Sequence, residues 1–135
     1  MLHLDADRIH ALADYPGLVE ALCRMNRAGV DRVDRMLLSE PTGAGAQNDW
    51  LLLPAWRFGG YFGIKLVSVF PENPRRDLPA VEGLYALFEG ETGAAIATLD
   101  GAALTLVKTA ANSAMAAHLL SRVAAETLLV CGGGA

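Results

Sequence analysis

Between residues 50 and 107 the chain alternates apolar runs, rich in aromatic and β-branched side chains, with short breaks containing glycine or proline. No other feature narrows the fold as far, because this alternation is what paired strands and tight turns require. The runs cover residues 50–56, 61–70, 81–88, 94–99 and 102–107. Gly59-Gly60 turns the first run into the second. Pro71-Glu72-Asn73-Pro74-Arg75-Arg76 must leave the sheet, since prolines remove ladder donors and adjacent arginines need solvent. Gly90-Glu91-Thr92-Gly93 and Asp100-Gly101 divide the remaining three runs, the Asp-Gly pair supplying the positive φ angles of a type I′ turn. The spacing predicts a β-meander, preceded by a strand at residues 35–38 and a flexible Pro41-Thr42-Gly43-Ala44-Gly45 loop.

The flanks read differently. Residues 2–4 form a short strand candidate, after which Asp5 caps a helical hairpin or kinked helix over residues 5–28, interrupted at Tyr15-Pro16-Gly17 and stopped by Gly29. Residues 109–120 predict an Ala-rich helix, apolar on nearly every side, which must be buried or packed on a partner. Residues 126–131 then give a continuous apolar strand of the parallel-sheet kind, running into Gly132-Gly133-Gly134-Ala135. The expected class is α+β: N-terminal helices and an open antiparallel or mixed sheet, followed by a long Ala-rich helix and a last strand.

Composition sets limits on partners. At 135 residues, 53% hydrophobic and 19% charged, the chain supports one domain with a packed core and excludes disorder. A net charge of −4, with the charges scattered, predicts neither nucleic acid nor a membrane surface as partner. Cys23 and Cys131 form no CxxC pattern and read as reduced core thiols. His3, His10 and His118 fit no zinc spacing, so no metal is expected. The N-terminus lacks a signal-peptide pattern and no apolar run approaches the roughly 18 residues of a membrane span, so the expected location is cytoplasmic.

Three cations and one turn are candidates for chemistry. Lys65 lies in a run apolar on both faces, sharing one with Tyr61, Val67 and Val69 and opposing Phe62, Ile64, Leu66 and Phe70. Its ammonium must reach water at a sheet edge or meet an anion. Lys108, at the expected strand-to-helix junction, either reinforces an anion site at the helix N-terminus or is simply solvated. Arg35, after the charged run Asp31-Arg32-Val33-Asp34, reads as a surface ion-pair partner. Val130-Cys131-Gly132-Gly133-Gly134 resembles the opening of a dinucleotide-binding GxGxxG turn, with a plain glycine-rich tail as the alternative.

Taken in order, Leu53-Pro54-Ala55-Trp56, Gly63-Ile64-Lys65-Leu66-Val67, Phe70-Pro71-Glu72-Asn73, Leu78-Pro79-Ala80-Val81, Thr92-Gly93 with Leu99-Asp100-Gly101, residues 104–114, and Gly132 to Ala135 resemble the ornithine cyclodeaminase/mu-crystallin family over essentially the whole chain. The resemblance implies a dimer-forming domain over residues 1–122 and, over residues 123–135, the first strand and glycine turn of an incomplete Rossmann domain that binds NAD(H) or NADP(H). It implies a substrate cleft between the two and hydride transfer at the α-carbon of an amino or imino acid. By the same resemblance, Arg35 matches an arginine on the substrate carboxylate, and Lys65 a substrate-binding and catalytic lysine. Lys108 matches an arginine that contacts carboxylate and cofactor, while Gly132, Gly134 and Ala135 match the cofactor-phosphate turn.

Lysine at 108 loses the bidentate fork of arginine, and Ala80 stands where some relatives carry a hydroxyl. Both departures favour a cyclic imino-acid reductase of the Δ1-pyrroline-2-carboxylate type over ornithine cyclodeaminase itself. The expected protein is a homodimer, and a third reading is that the chain by itself is a non-catalytic dimerisation and substrate-cleft module.

Overall fold

The computed structural model describes residues 1–29, 33–43 and 45–132. Five antiparallel strands, β2 (Met36–Pro41), β3 (Gln47–Trp56), β4 (Tyr61–Val69), β5 (Val81–Glu89) and β6 (Ala95–Asp100), pair in chain order as a meander. The sixth, β1 (Leu2–Leu4), joins the β6 edge in parallel, with His3 opposite Thr98, so the sheet order is β1-β6-β5-β4-β3-β2 and the sheet is mixed. The polar stretch after β4 forms a 3-10 turn at Asn73–Arg76. Asn73 fastens it by donating from Nδ2 to the Pro79 carbonyl at 3.0 Å.

Two of the three helices, the first and the last, lie on one face of the sheet, and the second packs against the last. Asp5 caps α1 (Ala6–Leu12), its carboxylate accepting from the Arg8 amide at 2.9 Å. Helix α2 (Tyr15–Ala28) starts with Pro16 in its first turn and ends at Gly29, whose φ of +74° and ψ of 167° form an extended positive-φ conformation that glycine alone adopts readily. Helix α3 (Gly101–Leu120) buries Ala103, Val107 and Ala111, a stripe at four-residue spacing. Ala103 and Val107 meet Ile9, with Leu4, Ala6, Ala13, Leu18 and Leu99 packed around them. The core is therefore a single layer between α1, α3 and the β1-β6-β5 side of the sheet. The opposite sheet face carries Trp56, Phe62, Phe88, Leu66 and Leu84, outside that core.

Two expectations are corrected. Residues 102–107 are not a strand, and Asp100-Gly101 is not a type I′ turn: Asp100 ends β6 and caps α3, accepting from the Ala103 amide at 2.8 Å. The β-branched Thr105 and Val107 suggested a strand, but Ala103, Val107 and Ala111 bury more apolar surface at helical spacing. Gly101 is there for closeness rather than for positive φ: a Cβ on it would lie 2.6 Å from the Leu84 amide nitrogen, inside the backbone of β5. Second, residues 126–131 make no strand; Leu128 and Leu129 are 77% and 82% exposed, and a parallel strand does not form without a neighbouring ladder to pair with.

Candidate functional site

Lys65 sits at the middle of β4, flanked on both sides by paired strands, opposite Leu53 on β3 and Tyr85 on β5. That removes the sheet-edge reading, since β4 is an interior strand. Its side chain rises on the helix-covered face and donates from Nζ to Thr105 Oγ1 of α3 at 2.5 Å. Thr105 in turn donates to the carbonyl of Gly101, one helical turn earlier, at 2.5 Å. The close contact of Gly101 with the β5 backbone sets the height of α3 over the sheet, and so brings Thr105 within reach of Lys65.

Lys108 follows Thr105 by three residues, on the same side of α3. It lies two turns into the helix, not at its N-terminus, so the amide donors of the helix start do not serve it; helical spacing, rather than the junction, carries it to the site. Partial burial, and then the charge of Lys108, hold the Lys65 amine below its ordinary 10.5. Neither lysine has a carboxylate partner among the described residues. Two like charges without a counter-ion, on one apolar face, form a site that an anion would neutralise.

Tyr85 completes the floor. Burial pushes its phenol up from the usual range, and the ring lies over Gly63, where a Cβ would be 2.6 Å from Tyr85 Cζ. Gly63 therefore makes space for a phenol beside the lysine. Arg35 directly precedes β2 and is exposed. Met36 pairs with Leu52, so continuing that register sets Arg35 opposite Leu53, in the Lys65 row but two strands away, about 10 Å at the usual strand spacing. The structure sets Lys65 under the side of α3 that carries Thr105 and Lys108, near enough for the two charges to act on each other, and leaves Arg35 exposed just before β2.

The phosphate-turn residues fare unevenly. Gly132 has a φ of +92° with open space where a side chain would be, which suits a turn that lets backbone approach a phosphate. Gly134 and Ala135 lie outside the described residues. With no paired strand leading into Gly132, the described residues do not complete a dinucleotide cradle. Thr105, Tyr85 and Gly101 escaped the sequence reading. Thr105 would have emerged had α3 been started at Asp100, since it then shares a face with Lys108.

The titration of Lys65 sets a pH dependence. Were a carboxylate seated on Lys65, its affinity should fall as pH rises through the Lys65 midpoint, which lies below 10.5, and Lys108→Met should move that limb upward; isotherms across alkaline pH check both. Folding linkage has the opposite sign. The unfolded chain binds more protons between the folded value and 10.5, so stability rises with pH across that window.

The pattern of the ornithine cyclodeaminase/mu-crystallin family matches residues 6–135. The chain belongs to that family. It is 30% identical over 133 residues to the Δ1-pyrroline-2-carboxylate reductase of Colwellia psychrerythraea, covering 97% of this chain and 42% of that protein. Protein SAR DEFICIENT 4 of Arabidopsis thaliana is 40% identical over 88 residues, covering 63% of this chain and 27% of its own length. Among solved structures, an archaeal alanine dehydrogenase dimer with bound NAD aligns at a TM-score of 0.75 and 28% identity, over 90% of this chain and 38% of that one. The chain thus spans less than half the length of these relatives.

Proposed function

We propose that this chain is the substrate-carboxylate domain of an NAD(P)-dependent oxidoreductase acting on amino or imino acids, with a cyclic imino acid of the Δ1-pyrroline-2-carboxylate type as substrate. The observation that carries the reading is the Lys65 ammonium, held in mid-sheet by Thr105 on the side of α3 that also carries Lys108, with no carboxylate bonded to either lysine among the described residues. An α-imino acid presents one carboxylate next to its reacting carbon. Lys65 is the catalytic residue in that it touches the substrate, donating to the carboxylate with the hydrogens that Thr105 leaves free. Lys108 adds a second, more mobile charge, and Arg35 reaches in from the rim. Leu53 and Tyr85, the cross-strand neighbours of Lys65, flank the seat and partly desolvate its ammonium, which strengthens its charge-assisted bond. The nicotinamide, when bound, supplies the hydride; Gly132, Gly134, Ala135 and Lys108 would face its phosphates. Neither cysteine is a core thiol as expected, Cys23 being half-buried and Cys131 exposed; both are free, and the reading keeps the protein in the reducing cytoplasm.

The whole protein tests this directly. It should oxidise NADH or NADPH in the presence of Δ1-pyrroline-2-carboxylate. Release of ammonia from ornithine with no net use of cofactor would instead make it a cyclodeaminase, and no turnover of either would leave the chain a binding module.

The reading includes a homodimer formed through the uncovered sheet face. Trp56 packs on Phe62 and Phe62 on Phe88, each with ring centroids 5.9 Å apart, while Trp50 and Leu84 remain 48% and 41% exposed. An apolar face of this kind supports a like partner, because a second copy offers the same surface. Leu66→Lys should convert a dimer to a monomer in light scattering with unchanged circular dichroism. A wild-type monomer, or a Leu66→Lys dimer, would overturn the assignment.

A further inference from the structure

Thr105 is a β-branched residue inside a helix, where threonine has no intrinsic advantage. Its hydroxyl makes two bonds, each 2.5 Å long. A carbonyl can only accept, so the Thr105 proton is committed to Gly101 and the oxygen can only accept in its turn. The hydroxyl is therefore unable to donate to a substrate. What it can do is receive an N–H from Lys65, and it does so on the side of α3 that also carries Lys108.

We propose that Thr105 is the positioning residue of the cation pair: its hydroxyl, locked by the Gly101 carbonyl, holds the Lys65 ammonium beside Lys108 and aims its remaining hydrogens into the cleft. The inference rests on reading the pair as a carboxylate seat and adds the residue that builds it. Like charges repel, and a four-carbon side chain on a half-open face has solvent within reach. Without an acceptor at Thr105, Lys65 would turn away from Lys108 and the seat would open. Branching at Cβ restricts the threonine χ1, so the acceptor is fixed in place before any ligand arrives. A purely structural Thr105 would need only its bond to Gly101 and would leave Lys65 where it is.

The two roles separate in a titration that uses no substrate. The Lys65 side-chain Cε resonance is followed against pH in the 135-residue chain and in variants. In the wild type, Lys108→Met should raise the Lys65 midpoint. In Thr105→Val, which keeps the shape and loses the hydroxyl, the same substitution should leave the midpoint unmoved. Thr105→Ser should restore the response. Thr105→Ala, a better helix former, gives a second variant without the hydroxyl should valine disturb α3. An undiminished response to Lys108→Met in both hydroxyl-free variants would overturn the proposal. Titration of the wild type with L-proline is read separately. Lack of any Lys65 response there would count against the carboxylate reading, while the coupling experiment alone decides the role of Thr105.

Discussion

Lys65→Met should weaken binding of an amino or imino acid carboxylate by about 2–3 kcal/mol, roughly 30- to 150-fold, because it keeps the side-chain length and removes the charge and donors. Stability should not fall with it. In the free protein the lysine is partly buried and feels the charge of Lys108, with no counter-ion among the described residues, so its loss relieves a desolvation cost and a repulsion. The variant should therefore unfold at the same denaturant concentration as the wild type or slightly above it. Weakened binding at undiminished stability distinguishes a ligand-holding lysine from a structural one, which would show the reverse. Lys108→Met should cost less, within about 1 kcal/mol, since Lys108 is exposed and solvent already screens it. Isothermal titration with L-proline and urea melts of the three proteins provide the comparison.

The second large effect is on folding. Gly101→Ala should destabilise the domain by about 3 kcal/mol, the upper range for overpacking, although helix propensity alone predicts a gain of about 1 kcal/mol from the same change. The two effects have opposite signs, and geometry decides between them. A Cβ at residue 101 meets the Leu84 amide at 2.6 Å, and the obstacle is β5 backbone, which cannot swing aside as a side chain could. The helix must lift, and with it Thr105 and Lys108. Gly43→Ala is the control: nothing lies within 4 Å of its Cβ, and the change should fall within about 0.5 kcal/mol. Urea midpoints measure both. A Gly101→Ala protein as stable as the wild type would mean that the helix does not rest on the strand there.

The meander was legible because its period and its punctuation agree. Alternation places Lys65 and Phe62 on opposite faces, and the register bears this out, with Lys65 beside Tyr85 and Phe62 beside Phe88. Asp5, Pro16 and Gly29 each mark a helix boundary by a local mechanism that needs no knowledge of the rest of the fold. Asp100-Gly101 failed for the same local reason. Aspartate followed by glycine suits both a hairpin turn and a helix cap, and only contact with Gly83 and Leu84, residues far away in sequence, selects the cap. The parallel pairing of β1 with β6 is similarly non-local, joining His3 to Thr98.

The site was half legible. Lys65 is conspicuous as a charge in an apolar strand, and its need for a partner follows from desolvation alone. That the partner is a threonine one turn before Lys108 could not be read while residues 102–107 were taken as a strand, because strand alternation would have put Thr105 and Lys108 on opposite faces. Arg35 is brought toward the Lys65 row only by continuing the β2–β3 register one residue past Met36, and that register is something sequence does not supply. The high apolar content has a structural counterpart. Among the described residues helices lie on one face of the sheet only, and on the other face Trp50, Trp56 and Leu84 stay partly exposed.

A crystal structure of the whole protein with L-proline and NAD tests the central claim most directly. The account predicts the proline carboxylate within hydrogen-bond distance of Lys65 Nζ, with the Thr105 bond retained and Lys108 turned toward the same anion. A carboxylate seated elsewhere, with Lys65 and Lys108 still facing each other unpaired, would contradict it.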